Sequence, residues 1–479
     1  MREVCRRHFM RGALALGTLG LAQKFSSPLL AQTGPATGSG GAKLPDRGEF
    51  TITGAYLMTM DGALGDIAGG SIHVKNGEIV AVGKDVAGGG EKIDGAGMIV
   101  MPGLVETHWH MWNTLYRSFA GDKPEEGYFP TVARFGQQMT PDDIFAGTRL
   151  AAAEAINSGT TYVHSWCHNV RSTAHAEADV RALAAVGIRA RHSCGWPQGL
   201  PDTQAVDQTP LETLARNWKS LSNDGLITLG MAWRGQFRAG PIKPEIYQPE
   251  FDNARKLGVP ITVHVASARK AVNQIEPLYK GGLMGKDVQL IHTLSASPTE
   301  LDMIKEAGSP VSVSPGTELR IGYCYPQISE TLAKGIPLGI SIDTSALTGS
   351  SNLFAVLKLA RDSENAKAES EFKMTARQAL ELGTIGGARS MGLDASIGSL
   401  TPGKRADLIA ISPNALNMAV VTDPAHLVLE ATGPENVDTV IVDGRILKRG
   451  GKLAALNPSE VVADARTALA GVRERTKWR

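Results

Sequence analysis

The sequence predicts an α/β protein: a large parallel barrel of alternating strands and helices, joined to a small β-sandwich built from both chain ends. Three observations predict it. The centre, 103–395, alternates short apolar strands with amphipathic helix patterns, as parallel α/β architecture requires. Short strands with turn signals flank that centre on both sides. The length of 479 residues exceeds one small domain and suits a barrel plus an accessory module.

The N-terminus comes first. Arg6-Arg7-His8-Phe9-Met10-Arg11 precedes a mildly apolar stretch over 12–22 and the segment Pro28-Leu-Leu-Ala31-Gln32. A charged region followed by an apolar one is a targeting signal rather than structure. The arginine pair before Phe-Met resembles a twin-arginine export signal, so residues 1–32 are expected to direct the protein to the bacterial periplasm or outside the cell, with cleavage near Ala31. Residues 33–46 are a Gly/Ser linker.

Residues 47–102 form the first part of the sandwich, with strands expected at 50–53, 55–60, 70–74 and 78–83 and a hairpin turn at Asn76-Gly77. Its second part, 396–455, carries strands at 406–411 and 437–442, the latter followed by the turn Asp443-Gly444. Residues 456–479 are expected to be a helical tail. Between the two parts stand eight strand candidates, at 99–105, 160–164, 187–192, 226–232, 259–264, 288–292, 310–313 and 336–343. Eight β/α units in a segment of this size match a TIM (β/α)8 barrel. An open doubly wound sheet is the rival fold, but no G-x-G-x-x-G joins a strand to a helix, so dinucleotide binding has no support.

Hydrophobic residues make up 42% of the chain and the net charge is +1. With the charges well mixed, nothing favours nucleic acid or an anionic membrane as partner, and no internal apolar run reaches transmembrane length. A small-molecule substrate is the expected partner, and assembly into a homo-oligomer is compatible with barrel helices. Four cysteines are too few for a disulfide framework. With Cys5 in the leader, Cys167, Cys194 and Cys324 read as free thiols.

The chemistry concentrates at strand ends, where TIM barrels place catalytic groups. Met101-Pro-Gly-Leu-Val-Glu-Thr-His108-Trp-His110 reads as an apolar strand closing in two histidines. Alternation along a strand points His108 and His110 the same way, and neutral imidazole is a common metal ligand. His264, His292 and Asp343 close three later strands. Four imidazoles and a carboxylate at one rim have no comparable structural explanation, because unpaired buried charge is costly.

These residues resemble the motifs of the amidohydrolase superfamily: Pro102-Gly-Leu-Val-Glu-Thr-His-x-His110 on strand one, a His on strands five and six, and an Asp on strand eight. Gly159-Thr160-Thr161 and Gly398-Ser-Leu-Thr-Pro-Gly-Lys-Arg-Ala-Asp407 extend the likeness to about 47–455. The resemblance implies that His108, His110, His264 and Asp343 hold one divalent ion, with His292 above it against the reacting oxygen or leaving group and Asp343 as general base. Ligands without thiolate suit Zn²⁺, with Mn²⁺, Fe²⁺ or Co²⁺ as alternatives. Two-metal members carry a carboxylated lysine on strand four, and Leu226-Ile-Thr-Leu-Gly-Met-Ala-Trp-Arg234 has none.

One departure stands out. Mononuclear deaminases of the superfamily carry His-x-x-Glu on strand five, where this chain has His264-Val-Ala-Ser267. The expected activity is therefore hydrolysis of a non-peptide carbon–nitrogen or related bond in a small molecule. Amides, carbamates, ureas or cyclic amidines are favoured over aminopyrimidines and aminopurines. The alternatives are a heterocycle deaminase or dechlorinase with a substitute proton shuttle, and a non-catalytic protein that binds metal. His168 and His164 are the candidates for that shuttle. Ser267, Glu318 and Trp109 are further candidates for substrate contact, and Trp112, Trp166 and Trp233 for apolar walls. His192 and Cys194 close strand three and read as lining or packing residues. His73, His175, His426 and His8 read as non-catalytic.

Overall fold

A computed structural model describes residues 44–238 and 240–478. The leader, with Cys5 and His8, and most of the linker lie outside the described residues.

Five strands open the fold: β1 (Glu49–Leu57), β2 (Ile67–Lys75), β3 (Glu78–Gly83), β4 (Glu91–Asp94) and β5 (Ile99–Pro102). Eight parallel strands follow: β6 (Leu104–Trp109), β7 (Thr160–Cys167), β8 (Arg189–Cys194), β9 (Ile227–Trp233), β10 (Ile261–Val265), β11 (Val288–His292), β12 (Val311–Val313) and β13 (Leu338–Ile340). Helices such as Pro141–Asn157 and Thr173–Val186 separate them. Strands β14 (Leu408–Ile411), β15 (Val437–Val442), β16 (Arg445–Arg449) and β17 (Lys452–Leu453) then return to the first five, and helix Pro458–Thr476 ends the chain.

Each barrel strand pairs with its sequence neighbour from β6 to β13. Closure happens at the rim, through a parallel bridge between Trp109 and Asp343. The His110 N–H donates to the Asp343 carbonyl at 2.6 Å, and the Asp343 N–H to that of His108 at 2.9 Å. The first and last strands are thus laced together where the candidate ligands stand.

The segment expected as one strand over 99–105 is two. β5 pairs antiparallel with β14 and parallel with β1, whereas β6 belongs to the barrel. The break is Gly103, where a Cβ would come within 2.1 Å of the Thr161 side chain; only glycine lets the chain pass from one sheet to the other. Strands expected separately at 50–53 and 55–60 are largely the single β1, which shifts register after Ile52 at Gly54, with φ +76°.

Both chain ends build one nine-stranded sheet, ordered β17-β16-β15-β14-β5-β1-β2-β3 with β4 beside β1. Phe50, Ile72, Val100, Leu408 and Ile441 share its apolar core. Asn76-Gly77 and Asp443-Gly444 have φ of 51°, 81°, 54° and 73°, the left-handed pair that a two-residue hairpin needs. Cys167, Cys194 and Cys324 are free. Among the described residues no helix is long and apolar enough to cross a membrane.

Candidate metal centre and active site

Alternation along β6 turns His108 inward, and His110, one residue past the strand, follows it. Nε2 of each lies 3.3 Å from Asp343 Oδ1, and His264 Nε2 lies 3.2 Å from His108 Nε2. Ligand atoms of these four residues all fall within 4.8 Å of one another. A tetrahedral zinc site with bonds of about 2.0–2.1 Å separates neighbouring ligand atoms by about 3.3 Å. The donor set therefore fits one such ion. Burial, followed by repulsion from neighbouring imidazoles, holds His108 and His264 well below the ordinary histidine range, and His110 falls to about 3. Neutral rings with free lone pairs are what a cation requires.

The His110 ring, and the backbone that carries His108 and Asp343, are braced from behind. His110 Nδ1 lies 3.1 Å from the Trp166 carbonyl and 2.8 Å from His168 Nδ1. The buried Glu106 carboxylate accepts the His108 N–H and the Ile342 N–H, both at 2.8 Å, tying β6 to the segment that carries Asp343. Ala266, His292, Thr293 and Asp343 adopt φ of 50°, 79°, 53° and 63°. Left-handed backbone is unfavourable for residues other than glycine and concentrates at functional sites.

His292 stands next to the ligand set, its ring stacked on His264 with centroids 5.3 Å apart. Its Nδ1 lies 2.9 Å from Glu318 Oε1, which also accepts the Ser314 N–H at 2.8 Å. Glu318 is fully buried and its Oε2 has no partner among the described residues. Burial raises the Glu318 carboxyl above its usual range against the pull of His292. Burial alone would depress His292, but the hydrogen bond and charge of Glu318, with Asp343, raise it. Tyr323 stacks its edge toward His292 at 6.1 Å and lies nearly parallel to the exposed Phe129 at 6.4 Å. Tyr128 accepts from Asn113 at 3.0 Å, and burial and the Asp343 charge raise its phenol.

Three residues expected at the pocket are elsewhere. His164 is fully buried and both its nitrogens are engaged, Nδ1 with the Thr107 carbonyl at 2.9 Å and Nε2 with Ser193 Oγ at 2.8 Å; it pins β6 and β8 to β7. Trp109 lies between His108 and His110 and so faces the opposite side of β6, into the apolar core. Trp233 likewise packs on Tyr247 and Phe251, away from the centre. Trp166 does line it, in contact with His108, His110 and His264. His168 is committed to His110 and to Trp112 Nε1, at 3.4 Å, and burial lowers it to about 3. Ser267 is partly exposed beyond β10. Sequence reasoning passed over Glu106, Tyr128 and Tyr323. Glu106 had a signal, sitting two residues before His108 on the same strand face; the tyrosines had none.

The sequence pattern of the amidohydrolase family matches residues 99–447. This chain belongs to the amidohydrolase family. It is a hydrolase of carbon–nitrogen bonds other than peptide bonds, acting on a small molecule, in a metal-dependent family. It is 27% identical to a 5'-deoxyadenosine deaminase of Methanosarcina acetivorans over 88% of this chain and 97% of that one. It is 29% identical to a 5-methylthioadenosine/S-adenosylhomocysteine deaminase of Moorella thermoacetica, over 78% and 86%. Two solved structures share the fold. A zinc-bound adenosine deaminase from Xanthomonas campestris has a TM-score of 0.78 at 21% identity, covering 90% of this amidohydrolase and 100% of that chain. The atrazine chlorohydrolase of Arthrobacter aurescens has a TM-score of 0.74 at 22% identity, covering 88% and 100%.

Proposed function

We propose that this amidohydrolase hydrolyses the exocyclic C–N bond of a planar, nitrogen-rich heterocycle, with Glu318 supplying the carboxylic acid that position 267 lacks. The observation that carries this is the Glu318–His292 contact: a fully buried carboxyl, raised toward its protonated form, joined to the histidine beside the metal ligands. Of the shuttles expected from sequence, His164 has both ring nitrogens engaged by internal partners, and His168 has its Nδ1 on His110 and Trp112. The deaminase relatives support the reading, as does the Phe129–Tyr323 pair, whose faces suit a planar ring.

His108, His110, His264 and Asp343 would hold one divalent ion, Zn²⁺ by donor chemistry. When bound, such an ion lowers the pKa of water and supplies a nucleophile at neutral pH. Asp343 accepts the proton of the attacking water and returns it to the leaving amine. His292, held in orientation by Glu318, donates to the ring nitrogen as negative charge develops there; Glu318 replenishes that proton and recovers one, through His292, from the hydroxyl of the adduct as the product carbonyl forms. Water and an amino-heterocycle thus give the oxo-heterocycle and ammonia.

A panel of substrates tests this. Zinc-loaded protein is assayed for ammonia release from aminopurine nucleosides, aminopyrimidines and aminotriazines, and for cleavage of amides and carbamates. Turnover of an amino-heterocycle is expected; turnover confined to amides and carbamates would return the assignment to the carbonyl substrates that Ser267 alone suggests.

The mature enzyme is also proposed to work in the bacterial periplasm or outside the cell, supported by Arg6-Arg7 ahead of Phe9-Met10. Export of a folded protein lets metal loading finish in the cytoplasm.

A further inference from the structure

We infer that Trp478, outside the catalytic centre, is a positioning residue for the substrate: it holds helix Tyr128–Gly136 so that Phe129 stands opposite Tyr323 at the mouth of the site. This role rests on the Phe129–Tyr323 wall of the proposed reading and extends to any carbon–nitrogen substrate that meets that wall. Helix Tyr128–Gly136 lies in the connection from β6 to helix Pro141–Asn157, at the barrel end where the ligands stand. Its first turn faces the centre. Tyr128 Oη accepts from Asn113 Nδ2 at 3.0 Å, and Asn113 Oδ1 accepts from Thr344 Oγ1 at 2.8 Å, one residue beyond Asp343. Phe129 follows, exposed and 6.4 Å from Tyr323, the ring that meets His292.

The last turn of the same helix is held by the end of helix Pro458–Thr476 and the residues after it. The Trp478 indole lies nearly parallel to Phe119, 4.7 Å away at 7°, and meets Phe135 edge-on at 5.5 Å. Arg134 Nη2 donates to the Thr476 carbonyl at 2.8 Å, and Arg475 Nε to the Gln138 carbonyl at 2.9 Å. Arg475 also pairs with Asp143 at the start of helix Pro141–Asn157, and the Arg473 guanidinium sits 5.8 Å from the indole centroid.

Two features give the indole its importance. A cavity of about 570 Å³ runs along this side of the helix, lined by Phe119, Pro130, Thr131, Arg134 and Trp478, so close packing does not fix the helix there and the aromatic contacts must. The helix is also a stiff connection. Phe129 and Phe135 are six residues apart, about 9 Å along a helix axis, and backbone hydrogen bonds carry a shift of one end to the other. Losing the indole therefore moves Phe129 against Tyr323 while His108, His110, His264, His292, Glu318 and Asp343 keep their partners. Such a change weakens substrate binding and spares the chemical step, which raises KM at constant kcat.

The test is a double-mutant cycle on zinc-loaded protein, with the best substrate of the panel, heterocycle or otherwise. Trp478→Ala should raise KM about fivefold or more, with kcat within about twofold of wild type. Phe129→Ala should raise KM as well, and the double variant should be no worse than Phe129→Ala, because residues acting through one contact are not additive. Trp478→Phe keeps an aromatic face against Phe119 and should restore KM. Hydrogen exchange of amides 128–136 should quicken in Trp478→Ala and not in Trp478→Phe, a readout that needs no substrate. Unchanged exchange or unchanged KM in Trp478→Ala, or KM effects that add in the double variant, overturns the inference. An effect of Trp478→Ala with none of Phe129→Ala overturns it too, and faults the wall; turnover confined to amides and carbamates faults the heterocycle reading and leaves the cycle intact.

Discussion

His168 Nδ1 lies 2.8 Å from His110 Nδ1, while the other nitrogen of the His110 ring faces Asp343 at 3.3 Å. With Trp112 Nε1–H also directed at His168 Nδ1, His168 is an acceptor that fixes which His110 nitrogen is left for a metal. Groups behind metal ligands typically contribute 10–100-fold in affinity. His168→Ala should weaken zinc binding by about that factor with circular dichroism unchanged. Competition against a chromophoric chelator measures it, and wild-type affinity in the variant would remove His168 from this role.

One ion per chain is expected in active protein, because the strand-four segment, residues 226–234, contains no lysine. Elemental analysis should find a single tightly bound ion, and two would contradict the ligand set. His110→Ala and Asp343→Ala should both abolish activity while the fold persists, since the barrel core lies below the rim.

Acid stability should depend on Asp443. Burial pushes its carboxyl up, but Arg189, Arg405 and Arg47 more than offset this, so its pKa is lowered in the folded state. A lowered carboxylate contributes stability that is present above its unfolded value, near 3.8, and lost as pH falls through the folded value. Asp443→Asn should lose that component of acid sensitivity below pH 4 and be destabilised at neutral pH by about 3–5 kcal/mol, as when one side of a buried ion pair is removed. Urea unfolding across pH would show it; unchanged neutral stability would refute it.

Replacing Arg6 and Arg7 by lysine should hold the protein in the cytoplasm of a twin-arginine-competent host. Cell fractionation reads the outcome directly, and efficient export of the double variant would exclude the route.

Much of this centre was legible because one rule, alternation along a strand, places His108 and His110 together. The same rule sends Trp109 the other way, so its assignment to the pocket was avoidable. The break at Gly103 was not, because it depends on Thr161 packing across from another strand. Nor could sequence reveal that Glu106 accepts the Ile342 N–H, 236 residues away, or that His164 is locked between Thr107 and Ser193. Glu318 was visible as a loop acid and a candidate for substrate contact, but not as the partner of His292. Its contact with His292 exists because β11 and β12 are neighbours and helix Pro315–Arg320 begins at once after β12.

The central claim is that Glu318 replaces the acid missing at Ser267, and Glu318→Gln tests it most directly. Ammonia release from an aminopurine nucleoside or aminotriazine is compared between zinc-loaded wild type and variant at equal metal content. The account predicts a kcat/KM lower by about 10²–10⁴-fold, the usual worth of general acid–base catalysis, with zinc still at one per chain. A variant that deaminates as fast as the wild type would contradict it.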